Sequence, residues 1–315
     1  MWRRTRLYAR ASSWRRLSSG CMSLFDRGLL IVSGKGGVGK STVAAALGMA
    51  SAGRGRRTLL VEVASQERMS RLFDQRGPIG YHVTPVYPGL DALSVDPQKA
   101  LEEYLLGQVK VRAVYERMFE NRVFGYFAAA APGLRELVTL GKIRQLLEAG
   151  RHDVVVVDAP ATGHGLGFLN VPRTFMRIAR TGPVHSRAKA VAKVLDDPDC
   201  TAVVLVTTPE ELPVSETLEA IHDLTAEGFP LAGVIANAVY EELFDGADAA
   251  ALAGVDARGA ASAAAAAARS RLARTADQRD QLERVRPCLA ELPFLFESRL
   301  DVPAVATLGE RLEGL

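Results

Sequence analysis

The segment from Leu29 to Leu47 constrains this chain more than any other. It reads Leu29-Leu30-Ile31-Val32-Ser33, then Gly34-Lys35-Gly36-Gly37-Val38-Gly39-Lys40-Ser41-Thr42, then Val43-Ala44-Ala45-Ala46-Leu47. The opening apolar run is that of a strand buried on both faces, and the alanine-rich continuation favours helix. The join between them satisfies G-x-x-x-x-G-K-[ST]. Glycines at that join let successive backbone N–H groups turn inward around phosphate oxygens, and the helix beginning near Lys40 adds its positive end. Lys40 is then placed to reach terminal phosphates, and the Ser41 hydroxyl to sit on Mg²⁺.

Further along, short apolar runs alternate with longer amphipathic stretches, which predicts a parallel sheet covered by helices on both faces. The expected strands are 29–33, 58–63, 92–95, 153–158, 202–207, 233–237 and 289–292. The fold class is therefore α/β, a P-loop nucleotide-binding fold with a doubly wound, mostly parallel sheet. Helical inserts are expected at about 97–150, broken at Ala131-Pro132-Gly133, and at about 171–198. The Ala-rich stretch at about 247–284 reads either as an exposed helical excursion or as a low-complexity segment. Residues 22–315 are expected to form a single domain.

Composition narrows the class. The chain has 315 residues, 48% hydrophobic and 24% charged, with a net charge of +3 that gives nucleic-acid binding no support. Much of the basic excess lies in residues 1–21, which hold six arginines and no acid. That is the composition of a mitochondrial leader; the other reading is a start assigned too early, with Met22 as the true beginning and a cytoplasmic protein. Cys21, Cys200 and Cys288 are far apart and form no Cys-x-x-Cys pair, so no zinc site is expected. No apolar run approaches the roughly 20 residues of a membrane-spanning helix.

A second chemical element is Val154-Val155-Val156-Val157-Asp158, a buried strand ending in a carboxylate that can hold Mg²⁺ through water. An N-cap for the following helix is the plainer reading of Asp158. For Lys35 the plainer reading is a solvated loop lysine. Yet Lys-Gly-Gly-Val-Gly-Lys-Ser resembles the deviant Walker A loop of dimeric ATPases, including septum-site, chromosome-partition, nitrogenase iron-protein, arsenical-pump and tail-anchored-protein-targeting enzymes. The resemblance implies that Lys35 reaches the partner subunit's nucleotide. The stretch Asp158-Ala159-Pro160-Ala161-Thr162-Gly163-His164 through Pro172, with Val206 to Thr217, is similar to the arsenical-pump and tail-anchored-targeting branch. Ala130 to Lys142, with Gly182-Pro183-Val184-His185, is most similar to bacterial, especially actinobacterial, anion-transporting-ATPase-like proteins.

That resemblance implies ATP and Mg²⁺ as cofactors, phosphate contacts from Gly34 through Thr42, and adenine contacts from Asn237, Pro293 and Phe294. Lys35, Lys40 and Asp158 become the catalytic candidates, and Ser41 and Asp158 the metal ligands. It also implies a homodimer or a heterodimer of related subunits, and a client or membrane partner. At the position of the family's first-switch aspartate this sequence carries Ala64, which leaves Glu62 or Gln66 to position water and implies either slow hydrolysis or hydrolysis that depends on a partner subunit. Glu62 lies two residues earlier on the same face of the strand, about 6–7 Å away. The expected function is an ATP-driven dimeric switch. The alternatives are the soluble motor of an arsenite-like anion efflux system and a low-turnover ATP-binding regulatory subunit.

Overall fold

The computed structural model describes residues 23–63, 68–108, 133–160, 162–244, 246–253 and 260–315. The expectations for residues 1–21, for Ala64 and Gln66, and for Ala130 through Pro132 lie outside the described residues, as does Ala161.

Eight strands form one sheet in the order β3-β4-β2-β5-β1-β6-β7-β8. They are β1 (Leu29–Gly34), β2 (Thr58–Val63), β3 (Thr84–Tyr87), β4 (Leu90–Val95), β5 (Val154–Asp158), β6 (Thr201–Thr207), β7 (Leu231–Val239) and β8 (Ala290–Pro293). All neighbouring pairs are parallel except β3 with β4. The seven strands expected from apolar runs are present, with ends that differ by no more than two residues. The antiparallel edge strand β3 escaped because it is short, half-exposed and carries Pro85, a residue confined to sheet edges.

The helices are α1 (Lys40–Gly53), α2 (Arg68–Leu72), α3 (Pro97–Gln108), α4 (Leu134–Glu148), α5 (Thr162–Ile178), α6 (Pro183–Leu195), α7 (Glu211–Ala226), α8 (Gly246–Ala253), α9 (Ala260–Val285) and α10 (Val302–Glu310). Alternation along the strands divides their side chains between two cores. Leu30, Val32, Leu60, Val154, Val156 and Val204 face α1 and α10, while Leu29, Ile31, Leu59, Val155, Val157 and Leu205 face α3 through α7. With helices on both faces, neither side of β1 meets water, which is why its sequence is continuously apolar rather than alternating.

Two expectations about the inserts change. The second insert was expected to begin near Val171, but α5 starts at Thr162, directly after the β5 tip, and carries Pro172 inside it. The Ala-rich stretch is helical in α8 and α9, and the second half of α9 is not merely an excursion. Its Thr275, Gln278, Leu282 and Val285 are buried at helical spacing, and Gln278 Oε1 accepts the Tyr240 N–H at 3.0 Å.

Candidate functional site

The connection after β1 crosses towards β2 and the chain after β6 runs the other way, so the C-terminal ends of β1, β5 and β6 bound the crevice of the sheet. The glycine loop lies there. Gly34 has φ +150, and a Cβ on it would stand 2.3 Å from the Val206 carbonyl oxygen, so β1 and β6 approach as they do only with glycine at this position. Gly39 has φ +88, and a Cβ there would meet Asn237 Nδ2 at 2.2 Å. Gly36 and Gly37 face open space, with nothing within 4 Å of an added Cβ. Two glycines of the loop thus serve packing and two leave the backbone accessible.

α1 opens immediately after Gly39, placing Lys40 and Ser41 in its first turn. The Ser41 hydroxyl donates to Asp158 Oδ2 at 2.6 Å, joining the start of α1 to the tip of β5. Asp158 is 7% exposed, and its Oδ1 is buried without a hydrogen-bond partner among the described residues. A buried, unsatisfied carboxylate oxygen beside a hydroxyl is costly unless a cation or an ordered water completes it. These two residues therefore fit the metal assigned to them. Burial pushes the Asp158 carboxyl above its ordinary range, opposed by the Ser41 hydrogen bond and by the charges of Lys40 and Arg68. Burial likewise lowers the Lys40 ammonium, which Asp158 counteracts and Arg68 reinforces.

Lys40 Nζ donates to the Lys35 carbonyl oxygen at 2.8 Å, folded over its own loop. Lys35 Nζ lies 2.7 Å from Glu216 Oε1 of α7, in a half-exposed ion pair within this chain. Val38 is buried, and its carbonyl oxygen accepts from Asn237 Nδ2 at 2.9 Å. Thr42 is half-buried in α1. The structure therefore brings Lys35, Val38, Gly39, Lys40, Ser41, Asp158 and Asn237 to one end of the sheet. Pro293 ends β8, and the Phe294 ring lies 4.7 Å from that of Tyr240, with the Phe294 N–H bonded to the Val239 carbonyl. Asn237 and Phe294 thus belong to the adjoining ends of β7 and β8, the side of the crevice next to the loop.

Three participants were not legible in the sequence. Glu216 lay in a quoted stretch, but nothing in that stretch pairs it with Lys35. Arg68 follows β2 and sends Nη1 to Ser41 Oγ at 3.4 Å, while its backbone N–H donates to Glu62 Oε1 at 3.1 Å. Tyr240 joins Phe294 and Phe296 in a ring cluster overlaid by Arg271. Glu62 was singled out, and it is 2% exposed, in register beside Asp158. Burial raises its carboxyl above the usual range, opposed by the Arg68 backbone N–H.

Four of the histidines lie on the surface or in structural contacts. His152 pairs with Asp91 at 2.9 Å, His185 bonds the Ala179 carbonyl, and His82 and His222 are exposed. His164 falls in the first turn of α5. Among the described residues no group of three His, Cys, Asp or Glu could hold a metal ion.

A family model described as anion-transporting ATPase matches residues 28–181 and 176–252, spanning β1 through β7. ATPase BagA of Mycobacterium tuberculosis is 38% identical over 220 residues, which is 66% of this chain and 64% of that protein. A putative ATPase of Mycobacterium bovis matches to the same extent. Putative arsenical pump-driving ATPase 1 of Aquifex aeolicus is 24% identical over 254 residues, 68% of this chain and 64% of its own. The matched region spans 64% of the length of these relatives. The glycine loop, the Ser41–Asp158 pair and the strands β1 and β5 that carry them all lie inside the region matched by the family model, and the chain belongs to the anion-transporting ATPase family.

Proposed function

We propose that this chain binds Mg²⁺·ATP at Gly34–Thr42, hydrolyses it, and acts as a dimeric switch that transmits nucleotide state to a client or membrane partner. The observation that carries the reading is the Ser41–Asp158 contact at 2.6 Å, with the second Asp158 oxygen buried and unpartnered among the described residues.

The loop amides of Gly36, Gly37 and Gly39 would bind phosphate oxygens, and Lys40 would leave the Lys35 carbonyl for the terminal phosphates. Ser41 would hold the metal directly and Asp158 through water. Mg²⁺ when bound draws charge from the phosphate oxygens and so eases transfer of the terminal phosphoryl group to water. Glu62 is the described carboxylate nearest in register to Asp158 and the candidate for orienting that water. Asn237 would keep the loop closed through Val38 and, with Pro293 and Phe294, border the base.

Lys35 has a conformational task. To reach a partner's nucleotide it must give up Glu216 within its own chain, so the ion pair opposes closure of the dimer. Closing a dimer of two copies breaks two such half-exposed pairs, each worth up to about 1 kcal/mol, so Glu216→Gln should strengthen ATP-dependent dimerisation by up to about thirtyfold. Lys35→Ala should abolish it. Light scattering of both variants with ATP and with ADP checks this; a wild-type mass that ignores nucleotide, or a Lys35→Ala chain that dimerises normally, contradicts the dimeric switch.

The names of the Aquifex relative and of the matching family favour one further reading, a soluble motor for an anion transporter. Stimulation of ATP hydrolysis by arsenite would separate it from the general switch.

A further inference from the structure

Arg68 is a cation at the metal position that neither the glycine motif nor the resemblance assigns. Its Nη1 donates to Ser41 Oγ at 3.4 Å, while the hydroxyl proton of Ser41 is already committed to Asp158 at 2.6 Å. The guanidinium therefore meets the serine oxygen on its acceptor side, the side a divalent ion needs. Its backbone N–H is fixed to Glu62 at 3.1 Å, and Glu62 is buried in β2 beside Asp158. The residue as a whole is exposed, so its side chain has room to withdraw.

We infer that Arg68 is a built-in counter-cation of this site, which occupies the metal-facing oxygen of Ser41 in the absence of Mg²⁺ and yields it when Mg²⁺·ATP enters. The inference rests on the proposed reading of the site as one for ATP. Two cations on one serine oxygen repel each other strongly in a partly buried setting, so occupancy by one disfavours the other. The guanidinium also presents a planar fork of donors that matches phosphate oxygens, so it can support ATP when no metal is present. Arg68 thus makes nucleotide binding less dependent on Mg²⁺ than the Ser41–Asp158 pair alone would make it.

Equilibrium binding of a fluorescent ATP analogue to the full chain, in excess Mg²⁺ and in EDTA, tests this with wild type, Arg68→Gln and Arg68→Lys. Arg68→Gln should weaken metal-free binding about tenfold, while binding with Mg²⁺ holds or tightens, so the ratio of the two affinities rises at least as much. Arg68→Lys should restore most of the metal-free binding. Melting curves without nucleotide establish that the variants are folded. An unchanged ratio in Arg68→Gln, or equal losses in both media, overturns the inference while leaving the ATP site standing. Absence of binding by wild type in either medium overturns the ATP reading itself, and this inference with it.

Discussion

Gly34 and Gly36 are two positions apart and answer to different demands. Gly34 combines φ +150 with a 2.3 Å approach of any Cβ to the Val206 carbonyl, a backbone atom that cannot move without parting β1 from β6. Gly34→Ala should therefore cost about 2 kcal/mol or more of stability. Gly36 meets nothing, so Gly36→Ala should leave stability within about 0.5 kcal/mol of wild type. Its methyl group would enter the space assigned to phosphate, and ATP affinity should fall about tenfold, as when a charge-assisted contact is lost. Urea denaturation and nucleotide binding on the two variants check the contrast; a stable Gly36→Ala chain with unaltered affinity would place phosphate elsewhere. The glycine spacing, Lys40, Ser41 and Asp158 were legible because loop chemistry is local and the strand ends on the carboxylate. Glu216 and Arg68 were not, because each joins the site through a contact between elements distant in sequence.

At the scale of elements, the ends of β2 and β5 beside the glycine loop are opposed by a strap at their other ends. Arg57 Nη2 meets Asp153 Oδ1 at 2.7 Å, and the Arg57 backbone N–H reaches Asp153 Oδ2 at 2.9 Å. The Arg57 side-chain hydrogen bond, followed by its backbone N–H, holds the Asp153 carboxyl down at about 2. Its folded-state value lies below the ordinary value of about 3.9, so the unfolded chain binds the proton more readily. The stabilisation is whole above about pH 4 and is lost as pH falls through about 2. Asp153→Asn should lower stability at neutral pH and have no such effect well below pH 2. Denaturant midpoints against pH would show the wild-type and variant curves converging in acid; parallel curves would mean the strap does not couple folding to this proton. The strands were readable from apolar runs because burial on both faces writes them continuously. The start of α5 was misplaced because Gly163, Gly165 and Gly167 are poor helix formers. The packing of α9 was missed because its inward residues include Thr275 and Gln278, polar groups that no hydrophobic period reveals.

Across the whole molecule, the described hydrophobic residues with high exposure include Leu212 at the start of α7, Leu243 beyond β7, and Phe294 and Phe296 beyond β8. All four follow strands at the end of the sheet that carries the glycine loop. A dimer closing over ATP would have this end available, and Lys35 with Glu216 stands on it as well. Among the described residues no helix is long and apolar enough to cross a membrane. The sequence conveyed the sheet and the phosphate loop, which rest on patterns within short windows. It did not convey how the two cations Lys35 and Arg68 are held, since that depends on how α7 and α2 dock around the loop. Steady-state ATP hydrolysis in Mg²⁺ by the full chain, beside Lys40→Ala, tests the central claim most directly. The account predicts measurable turnover that falls by at least about a hundredfold when the Lys40 charge is removed from the transferring phosphate. Absence of turnover, or turnover that survives Lys40→Ala, would contradict it.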